Sequence, residues 1–282
     1  MRLSRFSDGG DFRLDHDITP EGTAYDVSGP GSTGDTIVLV HGVGLDRTMW
    51  DLQMAALAPK YRVVRYDLLG HGQSADQPIS DICTFIEQLK ELLASLSIDR
   101  FHLIGLSMGG VIAQGFAGRH SDRLKTMILM NTVYRRDTTE LTGMRSRLAL
   151  TREQGLGPVA DAALSRWFDS AFHAAFPERV AIIRQKMLSN RLEPYIAAYS
   201  ALIDADAIIQ DALTQVTCPT LVIAGEHDPG STPEIARRMV ADLRQGELLI
   251  LPGLHHLTPW EAPELVSETI LDFLETHGEV DS

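Results

Sequence analysis

The sequence predicts an α/β protein: a mainly parallel sheet flanked by helices, with one helical insertion. Three observations lead there. Short apolar runs of strand length alternate with helical patterns along most of the chain, which calls for a sheet covered on both faces. The alternation stops between Asn131 and Pro219, where helical patterns follow one another without a convincing strand. Polar, glycine-containing loops follow several of the apolar runs, at the sheet edge where open α/β proteins bind ligands.

The strand candidates in order are Thr36 to Val40, Tyr61 to Tyr66, Phe101 to Leu106, Thr126 to Met130, Thr220 to Ala224 and Glu247 to Leu251. Ser28 to Gly34 reads as a Gly- and Ser-rich turn before the first of them. After Ser80, the apolar residues Ile82, Phe85, Ile86, Leu89, Leu92, Leu93 and Leu96 fall at the spacing of one helix face. Thr232, Pro233 and Glu234 supply an N-cap, a first-turn proline and an acid suited to the helix dipole, so a helix runs to about Leu243. Pro263 opens the last helix, with Leu265, Val266, Ile270, Phe273 and Leu274 as its expected buried face. The domain organisation is therefore a core of residues 1–133 and 216–282, with residues 134–215 forming a helical cap over the carboxyl ends of the strands.

A chain of 282 residues with 44% hydrophobic content can bury a large core. Its 25 basic and 38 acidic residues leave a net charge of −13, which argues against nucleic acid or an anionic membrane as partner. An anionic substrate would need local arginines to overcome that field. Cys83 and Cys218 are too few and too far apart for a disulfide framework or a metal knuckle, and both read as buried small residues. Met1 to Gly10 carries Arg2 and Arg5 without an apolar stretch behind them, and no window has the length of a membrane span. A cytoplasmic protein acting on a small molecule is expected, and homo-oligomerisation stays open.

Gly105-Leu106-Ser107-Met108-Gly109 stands between the run ending at Leu106 and a helical pattern beginning at Met108. That strand, turn and helix context fits a nucleophile elbow, where serine occupies a strained turn and small neighbours avoid backbone clashes. A serine hydroxyl is weakly nucleophilic at neutral pH, so it needs a base, and the base needs a partner that fixes its tautomer. Asp228 in Gly225-Glu226-His227-Asp228-Pro229-Gly230 follows the Thr220 to Ala224 run and lies on the correct edge for that partner. Asn131, at the end of the preceding run, is not an acid. His255 and His256 follow the last run, and spacing does not choose between them as base. A tetrahedral oxyanion needs two preorganised N–H donors. We assign those of Met108 and of Val43 in His41-Gly42-Val43-Gly44, with His41 organising that loop and His71 fixing a turn.

These segments together resemble the capped α/β-hydrolases: His41-Gly42-Val43-Gly44, Gly105 to Gly110, Gly225 to Asp228, and a tail of His256, Glu261 and Pro263. The resemblance spans nearly the whole chain and implies Ser107, Asp228 and His256 as a catalytic triad, its register favouring His256 over His255. Within the insertion, Arg166-Trp167-Phe168 and Tyr195 to Ala201, with Asp204 and Asp206, resemble the 3-oxoadipate enol-lactonases. That resemblance implies a lactone or ester carbonyl as target, in aromatic catabolism; two-step acyl transfer by Ser107 and His256 needs no cofactor, and the remaining histidines show no metal-ligand spacing. The oxyanion loop reads His-Gly-Val-Gly, and Leu68-Leu69 stands where an arginine is common in the family. Arg145, Arg147, Arg166 and Trp167 are candidates to line the substrate pocket, an arginine pairing with a substrate carboxylate. A C–C hydrolase of ring-cleavage products with the same triad, and a non-catalytic small-molecule receptor on the same fold, are the alternative readings.

Overall fold

The computed structural model describes residues 15–30 and 35–278; the segment Met1 to Gly10 and part of the Ser28 to Gly34 turn lie outside them. Eight strands form one sheet: β1 Asp15–Ile18, β2 Ala24–Ser28, β3 Thr36–Val40, β4 Arg62–Tyr66, β5 Phe101–Leu106, β6 Leu124–Met130, β7 Thr220–Gly225 and β8 Gly246–Leu251. Their order is β1-β2-β4-β3-β5-β6-β7-β8. The β1·β2 and β2·β4 pairs are antiparallel and the remaining pairs are parallel. All six predicted runs are strands, two with the same bounds and four with one end shifted by one or two residues. The sequence reading missed β1 and β2. Those strands are short, and the inward positions of β2 are Ala24, Asp26 and Ser28, so apolar alternation never announces it.

Twelve helices complete the described chain: α1 Asp51–Leu57, α2 Ile82–Ser95, α3 Met108–His120, α4 Thr138–Gln154, α5 Leu156–Trp167, α6 Ser170–Ala175, α7 Pro177–Leu188, α8 Leu192–Asp204, α9 Asp206–Ile209, α10 Pro233–Asp242, α11 Thr258–Glu261 and α12 Pro263–His277. Local chemistry sets their ends. Asp137 and Glu140 form a reciprocal capping box at the start of α4. Thr232 accepts from the Ile235 N–H and Pro233 opens α10, as its sequence predicts. From Asn131 to Pro219 the described chain holds helices and short turns, with no strand.

The side-chain period of a strand divides the core into two. On β3, Val38 and Val40 face one layer, where they meet α2 and α3 through Phe85, Leu89 and Phe116. Ile37 and Leu39 face the other layer, with Trp50 and Leu57 beside α1 and Ile270, Phe273 and Leu274 from α12. Two expectations need correction. Leu265 is 45% exposed, because the inward stripe of α12 runs through Val266, Ile270, Phe273 and Leu274 and Leu265 lies about a quarter turn off it. Cys83 is half-buried beside Arg119, although Cys218 is buried.

The inward Asp26 of β2 belongs to a buried ionic cluster that ties the sheet edge to the turn before α1. Arg47 Nε donates to Asp26 Oδ1 at 2.8 Å, its Nη1 pairs with Asp67, and its backbone N–H donates to Asp67 Oδ1 at 2.8 Å. Arg65 Nη2 lies 3.2 Å from Asp26 Oδ2. Removing one partner of such a cluster leaves buried charge uncompensated. Arg47→Met is expected to lower unfolding free energy by about 3–5 kcal/mol. Chemical denaturation of the two proteins checks this, and a loss below about 1 kcal/mol would mean the cluster is effectively solvated.

Candidate active site

Steric crowding shapes the turn that carries Ser107. A Cβ on Gly105 would come within 2.3 Å of the Gly109 carbonyl oxygen, and one on Gly109 within 2.2 Å of the Val40 carbonyl oxygen. Only glycine allows α3 to approach β5 and β3 this closely. Ser107 between them adopts φ 55° and ψ −117°, a region costly for a non-glycine residue, on the order of 1–3 kcal/mol. Neighbouring bonds hold it there. Its N–H donates to the Met130 carbonyl at 2.9 Å, and its carbonyl accepts from Thr132 Oγ1 at 2.6 Å.

The loop after β3 packs on the same turn: a Cβ on Gly42 would lie 3.2 Å from the Ser107 Cβ. Met108 opens α3, so its N–H has no acceptor within the helix. His41 fixes the loop from below. Its Nε2 accepts from the Leu68 N–H at 2.9 Å, which leaves the proton on Nδ1 to donate to the Gly42 carbonyl at 2.8 Å. Burial pushes the His41 pKa down to about 4, so the ring is neutral at pH 7. His71 Nδ1 similarly bonds the Leu69 carbonyl at 3.1 Å, and burial lowers its pKa to about 3. Both histidines are structural, as the sequence indicates.

Asp228 and His256 meet where the loops after β7 and β8 converge. His256 Nδ1 donates to Asp228 Oδ2 at 2.7 Å, and both side chains are buried. Asp228 Oδ1 accepts from the N–H groups of Gly230 and Ser231 at 2.9 and 3.0 Å. Burial alone would raise the Asp228 pKa, but the His256 charge, the bonds from His256 and Asn131 and the Gly230 N–H together outweigh it and bring it to about 2.

Asn131 is the residue that the sequence reading passed over. Its Nδ2 donates to Asp228 Oδ2 at 3.0 Å and to the His255 carbonyl at 2.9 Å, while its Oδ1 accepts from Thr258 Oγ1 at 2.9 Å. Its φ of 44° is one that asparagine tolerates better than most residues. A polar residue directly after the apolar run Met127 to Met130 of β6 is the signal that could have pointed to it.

The adjacent histidines have different surroundings. Glu261 receives the His255 N–H at 3.0 and 2.9 Å and lies 3.1 Å from its Nδ1, so the register carries His255 to Glu261 and His256 to Asp228. Trp167 stacks on His256, with ring centroids 5.5 Å apart and planes 22° from parallel.

Ser107, Asp228 and His256 line one cavity of about 350 Å³. Val43 and Trp167 also line it, as do Arg147 and Arg166 from α4 and α5. Arg145 does not. Glu140, Gly143, Met144 and Arg147 form the inward stripe of α4, and Arg145, two residues from Arg147, turns to the exposed side. Arg136 lines the cavity too, but Asp206 neutralises it through a 2.8 Å bond to Nε. Arg147 Nε donates to Tyr199 Oη at 2.9 Å, and Arg166 Nη1 donates to the Ala162 carbonyl at 2.8 Å. Among the described residues, neither has a carboxylate ion-pair partner. Burial, followed by the Arg147 charge, lowers the Arg166 pKa.

An eight-stranded, mostly parallel sheet with this elbow at the end of β5 agrees with the family comparison, in which the model of the alpha/beta hydrolase family matches residues 37–269. The chain belongs to that family. It is 29% identical over 248 residues to an (E)-2-((N-methylformamido)methylene)succinate hydrolase of Acinetobacter baylyi, covering 86% of this chain and 91% of the relative. It is 28% identical over 242 residues to 3-oxoadipate enol-lactonase 2 of the same organism, covering 83% of this chain and 86% of the relative. The crystal structure of the enol-lactonase from Burkholderia xenovorans LB400 superposes with a TM-score of 0.86 at 30% identity, covering 93% of this chain and 100% of that one. No helix among the described residues of this hydrolase-family chain is long and apolar enough to cross a membrane.

Glu261 provides a pH-dependent test of the site's scaffold. Burial raises its pKa from 4.5 to about 8, with Asp169 and Asp228 adding to the rise and the His255 N–H opposing it. Between those values the folded protein holds a proton that the unfolded chain has lost, so this contribution to stability is full below about pH 4.5 and is lost as pH rises through about 8. Wild type should therefore lose melting temperature between about pH 5 and 8, and Glu261→Gln, which keeps a neutral acceptor for His255, should lose less. Parallel curves for the two proteins would mean that Glu261 is ionised in the fold.

Proposed function

We propose that this protein is a serine-dependent hydrolase of small esters or lactones that carry a carboxylate. The observation that carries the reading is one cavity containing Ser107 on its strained turn and His256 bonded to Asp228, with two arginines that have no acidic partner among the described residues. In a chain of net charge −13, cationic groups left unmatched in a cavity favour an anionic occupant. The family membership and the enol-lactonase relatives support the same chemistry.

In this mechanism Ser107 Oγ attacks the substrate carbonyl carbon while His256 Nε2 takes the hydroxyl proton. Asp228 and Asn131 hold the imidazole in the tautomer that presents Nε2, and Asp228 stabilises the imidazolium. The tetrahedral oxyanion rests on the Val43 and Met108 N–H groups. Collapse breaks the carbonyl carbon to leaving-oxygen bond as His256 returns the proton to that oxygen. Water, deprotonated by His256, then attacks the acyl-serine and regenerates the hydroxyl. No step calls for a cofactor. Residues 134–215 act as a cap, whose arginines hold the substrate carboxylate away from the reacting carbonyl.

The test compares wild type with Ser107→Ala on p-nitrophenyl esters of rising acyl length and on small lactones, including 3-oxoadipate enol-lactone. Turnover by Ser107→Ala should fall by about a million-fold, and retained turnover would remove the serine mechanism. Arg147→Met and Arg166→Met should each raise KM for carboxylate-bearing substrates by about 10- to 100-fold, as expected for loss of a bond to a charged group, and leave neutral esters nearly unchanged. Equal effects on charged and neutral substrates would remove the carboxylate specificity.

A further inference from the structure

We infer that Asn190, between α7 and α8, is a positioning residue for the oxyanion donor Val43, and that Lys186 anchors it there. The inference rests on the serine mechanism proposed above.

A chain of hydrogen bonds through rigid peptide planes carries it. Asn190 Nδ2 donates to the Gly44 carbonyl at 2.8 Å. That carbonyl shares its peptide plane with the Leu45 N–H, which donates to the Gly42 carbonyl at 3.2 Å. The Gly42 carbonyl in turn shares its plane with the Val43 N–H. A side chain of the helical segment is thus two peptide units from the donor assigned to the oxyanion. His41 Nδ1 grips the same Gly42 carbonyl from the core side at 2.8 Å. Linked bonds polarise one another in a low-dielectric interior, so Asn190 both orients the Val43 N–H and strengthens it as a donor.

The anchorage of Asn190 is equally specific. Its amide also donates to the Lys186 and Met187 carbonyls at the end of α7, at 2.9 and 3.1 Å. Lys186 Nζ reaches across to Asp46 Oδ1 and Oδ2 at 3.0 and 3.1 Å and to Thr48 Oγ1. Asp46 in turn caps the turn at 47–50 that follows the loop. Gly44 has φ +77° and lies so close to Tyr195 that a Cβ would come within 3.0 Å of its ring. Met187 and Tyr195, on either side of Asn190 in sequence, both line the cavity. The segment that touches the occupant therefore also holds the loop that stabilises the transition state.

The experiment uses a p-nitrophenyl ester that wild type turns over, an arylboronic acid that forms a tetrahedral adduct with serine, and a non-reacting carboxylate product. Asn190→Ala and Asn190→Asp should lower kcat by about 10- to 100-fold, less than the loss of a direct oxyanion donor, while KM stays within about threefold. Boronic acid affinity should fall by the same factor as kcat, and affinity for the product should not change. Lys186→Met should repeat the pattern more weakly and Lys186→Arg should restore it, which also covers the case in which the Asn190 variants do not fold. Wild-type kcat in the Asn190 variants, or equal losses for boronic acid and product, would overturn the inference. If Ser107→Ala abolishes turnover while those variants keep it, the inference alone fails; if Ser107→Ala stays active, the mechanism fails and the inference with it.

Discussion

Everything around the candidate site depends on how closely two strands and one helix approach each other. At Gly105 the end of β5 meets the first turn of α3, and at Gly109 that turn meets the end of β3, with no space for a Cβ at either, so the backbones set the turn between them. Ser107 is pressed into φ 55° as a consequence. Its carbonyl and N–H are held by bonds to α3, Thr132 and β6, so the strain is balanced by structure that would otherwise be unremarkable packing. The helix that begins at Met108 is buried through Ala117, which fixes the turn against the centre of the molecule.

A second level of organisation lies in the polar groups that converge above this turn. The ends of four strands contribute, and their buried polar side chains bond one another and the loop backbones. Asn131 from the end of β6 links Asp228, the His255 carbonyl and Thr258, joining the loops after β7 and β8. Glu261 performs the matching task on the backbone of His255. His41 sets the loop after β3 from within the core. The result is a rigid floor, with the imidazole of His256 placed under the indole of Trp167.

Against that floor the helices between β6 and β7 add what makes this chain individual. The described surface there mixes neutralised and unneutralised charge. Arg136 is committed to Asp206 and to the Leu202 carbonyl, whereas Arg147 and Arg166 have only neutral partners in the cavity. The Arg147 charge disfavours the charged form of Arg166 across the cavity. The helices that line the cavity also touch the loop after β3 through Lys186 and Asn190.

Much of this was legible without coordinates. The strands β3 to β7 announce themselves because parallel strands covered on both faces are mostly apolar, and β8, though a half-exposed edge strand, still shows the run Leu248 to Leu251. The Gly-x-Ser-x-Gly turn is legible because sterics at its glycines admit no other residue, and Asp228 because a loop after a buried strand places it at the ligand edge. The sequence by itself thus determined the layers, the order of the strand-end loops and the residues Ser107 and Asp228 within them. Tertiary structure alone decided the rest: β1, short and exposed, and β2, whose inward Asp26 and Ser28 hide its period; Arg147 rather than Arg145 in the cavity; and the hydrogen bonds of Asn131 and Asn190. Each of those depends on a partner distant in sequence, because a side chain's hydrogen bond or ion pair is set by which loops the sheet brings together, and periodicity along the chain carries no record of that.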